Sequence, residues 1–259
     1  MIIKGRIIDG TGAEPIDRGI VVVQGSRIEV VGSQGDVKVD ASEKVIDAGE
    51  KTILPGLVDS HVHFCMTEGL SPYETYGIAM STIFGVENAK AWMRAGVTTV
   101  RDLGCAHHGI FALRDAIEKG TVVGPRIIAA GAILTESGRN VSLGVAADGP
   151  DEFRKRAREQ IGAGAQWIKI YASGQNHGRR RREPWEIWAT VPEVTAACEE
   201  AHNKGLKAAA HCATAESALV CLEGSIDSIE HGLVLNDQVL RKMKEQNVYY
   251  VPTAYVHYL

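Results

Sequence analysis

No Cys-x-x-Cys pair occurs in the sequence, and the five cysteines, Cys65, Cys105, Cys198, Cys212 and Cys221, are an odd number. This argues against both a disulfide framework and a zinc ribbon, and it fits a reducing compartment. No apolar run approaches the roughly 18 residues of a membrane span, and the N-terminal MIIKGRIIDG lacks the basic-then-apolar order of a signal peptide. A cytoplasmic location is expected. Charge of one sign is also scarce: the formal net charge of -4 gives no general attraction to nucleic acid or to an anionic membrane. The expected partner is a small-molecule substrate, with no nucleic acid and no membrane, and the sequence leaves a homo-oligomer open. No G-x-G-x-x-G loop follows the first strand of the α/β region, so nothing there would cradle a dinucleotide.

What is present is an ordinary globular composition, 45% hydrophobic and 23% charged, in a chain long enough for one large domain or a large one plus a small one. Residues 1–52 read as a small β unit, an incomplete sandwich: IIKGRIIDG, GIVVVQGSRIEVVG with a Gly25-Ser26 turn, and EKVIDAGEKTIL are each bounded by Gly, Asp or Ser. From residue 53 to 259 short apolar runs alternate with amphipathic segments such as DEFRKRAREQIGAGA, VPEVTAACEEAHNKG, TAESALVCLEGS and NDQVLRKMKEQN. That alternation implies a parallel sheet. Gly96, Gly164, Gly205 and Gly224 stand where left-handed helix-terminating glycines belong. Seven strands in line predict an α/β fold of the (β/α)8 barrel type with the eighth strand missing from this chain. The last segment, YYVPTAYVHYL, is an apolar strand with no helix after it, so the chain reads as C-terminally truncated.

In such a barrel the chemistry sits at the C-terminal ends of the strands. Four histidines fall there: His61 and His63 in LPGLVDSHVHF, His211 in KAAAHC and His231 in SIEHG. Because side chains alternate along a strand, His61 and His63 are expected to face the interior and Val62 the helices. A single histidine is more often a hydrogen-bonded core or surface group, but four at the mouths of three strands converge on one volume. Neutral imidazole is the commonest ligand for zinc and similar divalent ions. Lys169, in WIKIYASG, lies on the fourth strand. An inward lysine beside cations requires a deprotonated amine, which burial favours, and capture of CO2 would make it a carboxylate able to bridge two ions. The alternative is a lysine stem packed in the barrel with its head paired to an acid.

The sequence resembles the amidohydrolase superfamily, in its imidazolonepropionase-like, Xaa-Pro or Xaa-Arg dipeptidase-like branch. The resemblance rests on LPGLVDSHVH, GVTTVRDLG, GPRI, QWIKIYASG, KAAAHC, SIEHG and VPT, in order and with matching spacing. It implies two divalent metal ions, zinc foremost, with His61 and His63 on the more buried one, carboxylated Lys169 bridging, and His211 and His231 on the second. It further implies Asp59 and Asp102 as supporting residues and Tyr171 as a substrate contact; turn capping and packing are the competing readings. The implied reaction is hydrolysis of an amide, a dipeptide or N-acyl amino acid, or a cyclic amide by a metal-activated hydroxide.

The resemblance breaks at two places. The family's general-base aspartate at the end of strand 8 has no counterpart here, and Asp227 and Asp237 do not stand in for it, since one precedes strand 6 and the other opens the helix after it. General acid–base help is typically worth about 10²–10⁴-fold, so the 259-residue chain alone is expected to be a poor catalyst. The loop after strand 3 reads AILTESGRN where relatives often carry Gly-Gly-His. After strand 4, Arg179 to Arg182 could hold a substrate carboxylate, with Arg182 the candidate contact, although a charge run is more often a solvated loop. Two other functions remain: a degenerate or truncated metal-binding module without catalysis, and a lactonase or phosphotriester hydrolase on the same scaffold.

Overall fold

The computed structural model describes residues 1–37, 43–66, 73–138, 143–174 and 185–255. The chain forms two compact units, Met1–Leu57 and Val58–Leu259. In the first, β1 (Ile2–Ile7), β2 (Ile16–Gln24), β3 (Arg27–Ser33) and β4 (Val45–Ile53) make one sheet in the order β3-β2-β1-β4. The β2–β3 hairpin turns at Gly25 and Ser26, and β1 pairs with β4 in parallel. Because β4 runs on to Ile53, which pairs with Ile7, this unit extends past residue 52.

The second unit repeats strand and helix. In chain order it runs β5 (Leu57–Val62), α1 (Tyr73–Arg94), β6 (Val97–Asp102), α2 (Gly109–Glu118), β7 (Arg126–Ala129), β8 (Ile133–Thr135), β9 (Gly144–Ala146) and α3 (Gly149–Gly162). It continues with β10 (Trp167–Tyr171), α4 (Val191–His202), β11 (Lys207–Thr214), α5 (Ala215–Glu223), β12 (Ser228–Val234), α6 (Asp237–Gln246) and β13 (Tyr249–Val251). The strands lie in the orders β5-β6-β7 and β13-β12-β11-β10-β8-β9. A bend over residues 130–132 separates β7 from β8, so the third strand of the sequence pattern serves both groups: Gln166 N donates to the Ala129 carbonyl, and Ile170 pairs with Leu134. This is the TIM-barrel-like α/β fold, represented among the described residues by the seven barrel strands of the sequence pattern.

Small side chains make the wall thin. In β11, Ala208, Ala210 and Cys212 pack with Val194, Ala197, Ala201, Ala218 and Cys221 of the flanking helices, while Ala209 lies on the inner side with Leu103 and Ala130. Ile168 and Ile170 are fully buried, each contributing about 1.5–3 kcal/mol. Val62 joins the helix-side cluster with Val100, Ile110 and Leu113. No described helix is long and apolar enough to cross a membrane.

Gly96, Gly164 and Gly205 have φ of 85°, 107° and 69°. Gly224 does not: its φ is -82°, and the left-handed residue is Ser225 at 67°. The expectation of a left-handed cap at Gly224 is therefore corrected. A Cβ at Gly224 would stand 2.5 Å from Val194 Cγ1, so the glycine is there to let the end of α5 approach α4.

Candidate metal centre

The four histidines form a continuous run of rings. His63 and His61 have centroids 5.2 Å apart, His61 and His231 4.8 Å, and His231 and His211 4.5 Å. One ring nitrogen of each is anchored. His61 Nδ1 lies 2.6 Å from Glu230 Oε2, His63 Nδ1 3.0 Å from the Gly104 carbonyl, His211 Nε2 3.0 Å from the Gly174 carbonyl, and His231 Nδ1 2.6 Å from Thr253 Oγ1. The opposite nitrogens of the first pair, His61 Nε2 and His63 Nε2, approach to 3.3 Å.

Local structure explains each placement. Asp59 accepts from the His61 amide and from Trp92 Nε1, which fixes β5 against α1. Asp102, fully buried, accepts from the Phe64 amide at 2.7 Å and the Gly104 amide at 3.1 Å, so one carboxylate holds the turns after β5 and after β6 together. Burial pushes the Asp102 carboxyl up to about 7, against the lowering effect of those two amides. A Cβ on Gly104 would meet Ile133 Cδ1 at 2.6 Å and His63 Cε1 at 3.0 Å, so only glycine lays its carbonyl on His63 in this setting.

His231 needs a different device. Glu230 precedes it and lies in register with His211, so simple alternation would turn His231 outward. Its φ of 71°, followed by Gly232 at 55°, turns its ring back to His61 and His211. A left-handed non-glycine residue at a cluster of polar side chains is strain of the kind that concentrates at functional sites.

Lys169 shares the interior of β10 with Tyr171, whose ring is 5.3 Å from His211 and 6.1 Å from Trp188. The Lys169 amine is buried without a hydrogen-bond partner among the described residues. Burial drives it down to about 8, helped by Arg101 and opposed by Glu230. Burial also lowers His61 to about 4, with Lys169 adding to the effect, so that imidazole is neutral at pH 7. Burial would raise Glu230, but the His61 hydrogen bond and the charges of Lys169 and Arg101 prevail and hold it at about 2.

Glu230, Arg101, Thr253 and the carbonyls of Gly104 and Gly174 are site residues that the sequence reading did not single out. Arg182 lies outside the described residues, as do Arg179 to Arg181. Asp227 binds His202, Lys207 and the Ala208 amide beside the start of β11, and Asp237 opens α6. Among the described residues no group of three or more His, Cys, Asp or Glu side chains is drawn together tightly enough to hold a metal ion. The donor set nonetheless suits a divalent cation, since imidazoles in two pairs share their interior with a buried amine that has no hydrogen-bond partner among the described residues.

The chain belongs to the amidohydrolase family, whose pattern matches residues 52–258. It is 27% identical to ochratoxinase of Aspergillus niger over 99% of this chain and 59% of that protein. The crystal structure of A. niger ochratoxinase superposes with a TM-score of 0.81 at 26% identity, covering 97% of this chain and 64% of that one. A Xaa-Pro dipeptidase with bound methionine in its active site gives 0.83 at 29% identity, over 97% and 66%. A prolidase complexed with N-methylphosphonate-L-proline gives 0.87 at 26% identity, over 97% and 65%. The chain thus spans about three fifths of the length of ochratoxinase and just under two thirds of these structures.

Proposed function

We propose that this chain carries the centre of a metal-dependent amidohydrolase that cleaves the amide bond of a dipeptide or an N-acyl amino acid. The observation that carries the proposal is the orphaned Lys169 amine, buried in the barrel that also holds the four imidazoles. An amine lowered to about 8 has an appreciable neutral fraction at physiological pH, the form that captures CO2. Carboxylation would replace the buried unpartnered donor with a carboxylate, a change that fits cations on either side.

His61 and His63 would hold one divalent ion, His211 and His231 a second, and carboxylated Lys169 both; zinc suits this nitrogen and oxygen set. Such ions, when bound, lower the pKa of water toward about 7 and polarise a carbonyl. The chain's own residues do the positioning. Glu230 and the Gly104 carbonyl orient His61 and His63, and the left-handed His231 completes the row. Tyr171, packed on His211, would contact the substrate, and Arg182 would pair with its carboxylate. Names among the relatives support this class, since ochratoxinase, a Xaa-Pro dipeptidase and a prolidase are among the chain's neighbours. A small-molecule substrate and a cytoplasmic setting, consistent with five buried free thiols, complete the reading.

The test is a screen of Xaa-Pro and other dipeptides and N-acyl amino acids against lactones and phosphotriesters, with zinc supplied, on the protein at the length of its relatives. Hydrolysis confined to the amides is expected. Turnover of only lactones or phosphotriesters would assign the other chemistry, and no turnover with metal bound would leave a binding module.

A further inference from the structure

We infer that Glu230 is a positioning residue that fixes the tautomer of His61, and that Arg101 holds Glu230 in that role. The inference rests on the metal-dependent reading above, because the tautomer matters for what His61 Nε2 can bind.

Glu230 is fully buried, and both of its oxygens are engaged. Oε1 accepts from Arg101 Nη2 at 2.8 Å and from Ser228 Oγ at 2.5 Å, while Oε2 faces His61 Nδ1 at 2.6 Å. Arg101 is itself immobilised: its Nε donates to the Ser60 carbonyl at 2.7 Å, and its guanidinium lies 4.4 Å from the centroid of the Trp167 ring. A carboxylate paired with a guanidinium has only acceptor capacity. The hydrogen in the short contact to His61 must therefore sit on Nδ1, which places the lone pair on Nε2, the nitrogen that approaches His63 Nε2. A neutral amide or hydroxyl at position 230 could donate as well as accept, and it would leave the tautomer undetermined.

The arrangement joins three strands across the interior, His61 of β5, Arg101 of β6 and Glu230 of β12. It also explains the backbone at the next residue. Glu230 and His231 are adjacent in a strand yet both are needed inside, and the left-handed φ of 71° at His231 satisfies both. Partners of this kind orient a ligating imidazole and raise its basicity, and their loss typically weakens metal binding by about 10–100-fold.

Two measurements test it. The first is ¹⁵N NMR of the histidine rings in the metal-free protein, with His61→Asn used to assign the His61 signal. An Nδ1–H tautomer at His61 is expected, and an Nε2–H tautomer would overturn the inference. The second is zinc affinity by competition with a chelator. Glu230→Gln should weaken binding by about 10–100-fold and mix the two His61 tautomers, whereas Ser228→Ala, which touches only the other oxygen, should leave the tautomer intact. Unchanged zinc affinity and an unchanged tautomer in Glu230→Gln would refute the role. If that variant fails to fold, the tautomer in the unmodified protein decides. If the unmodified protein binds no zinc at all, the functional proposal fails, and the metal-free tautomer still decides this one.

Discussion

Lys169 is the least comfortable side chain in the folded protein. A buried ammonium without a partner opposes folding, and burial lowers its amine from the ordinary 10.5 to about 8. The folded state holds this proton more weakly than the unfolded chain does, so the unfolded chain is the more protonated one between about pH 8 and 10.5. Over that window stability rises with pH. In metal-free, CO2-depleted buffer, Lys169→Met should therefore be more stable than the parent below pH 8, by roughly 1–3 kcal/mol. The advantage should fade toward pH 10, as read by urea denaturation at several pH values. A constant difference across that range would show that the buried charge is not the cause. The same substitution should abolish zinc-dependent activity. The strand position of Lys169 was legible in the sequence, because it is the central residue of WIKIY, the run that forms β10. Glu230 was not: neighbouring strand residues normally face opposite sides, and nothing in the letters SIEHG announces a left-handed histidine.

Among the elements, α4 and α5 show how closely the helical layer fits. Gly224 ends α5 against Val194, and an added methyl would overlap Val194 Cγ1. Gly224→Ala should cost about 1–3 kcal/mol through this overlap, seen as a lower Tm with the strand signals unchanged. Adding Val194→Ala should recover part of the loss, so that the double variant is more stable than the sum of the two single effects predicts. Strict additivity would mean that the two side chains do not conflict. Helix positions and strand order were readable from apolar periodicity, but the role of this glycine was not. A glycine required for close approach and a glycine required for positive φ are the same letter, and only the neighbour across the interface separates them. The split of the third strand into β7 and β8 falls at Gly131, whose φ is 77°; an isolated glycine inside a strand pattern is the signal that marks it.

At the scale of the whole molecule, the barrel gathers its imidazoles and Lys169 in one interior and its apolar stabilisation in the wall and helices, so a metal bound there would be coupled to the fold through the strands that carry those residues. Ions that bind only the folded chain stabilise it by about 2.7 kcal/mol at a hundred times their Kd. The family and the barrel were readable from ordered motifs along the whole length, whereas Arg182 lies outside the described residues. Elemental analysis of the folded protein after equilibration with zinc and bicarbonate, with Lys169→Ala alongside, is the most direct test of the central claim. About two divalent ions per chain are expected, falling to one or none in Lys169→Ala. A folded protein that takes up no divalent ion would contradict it.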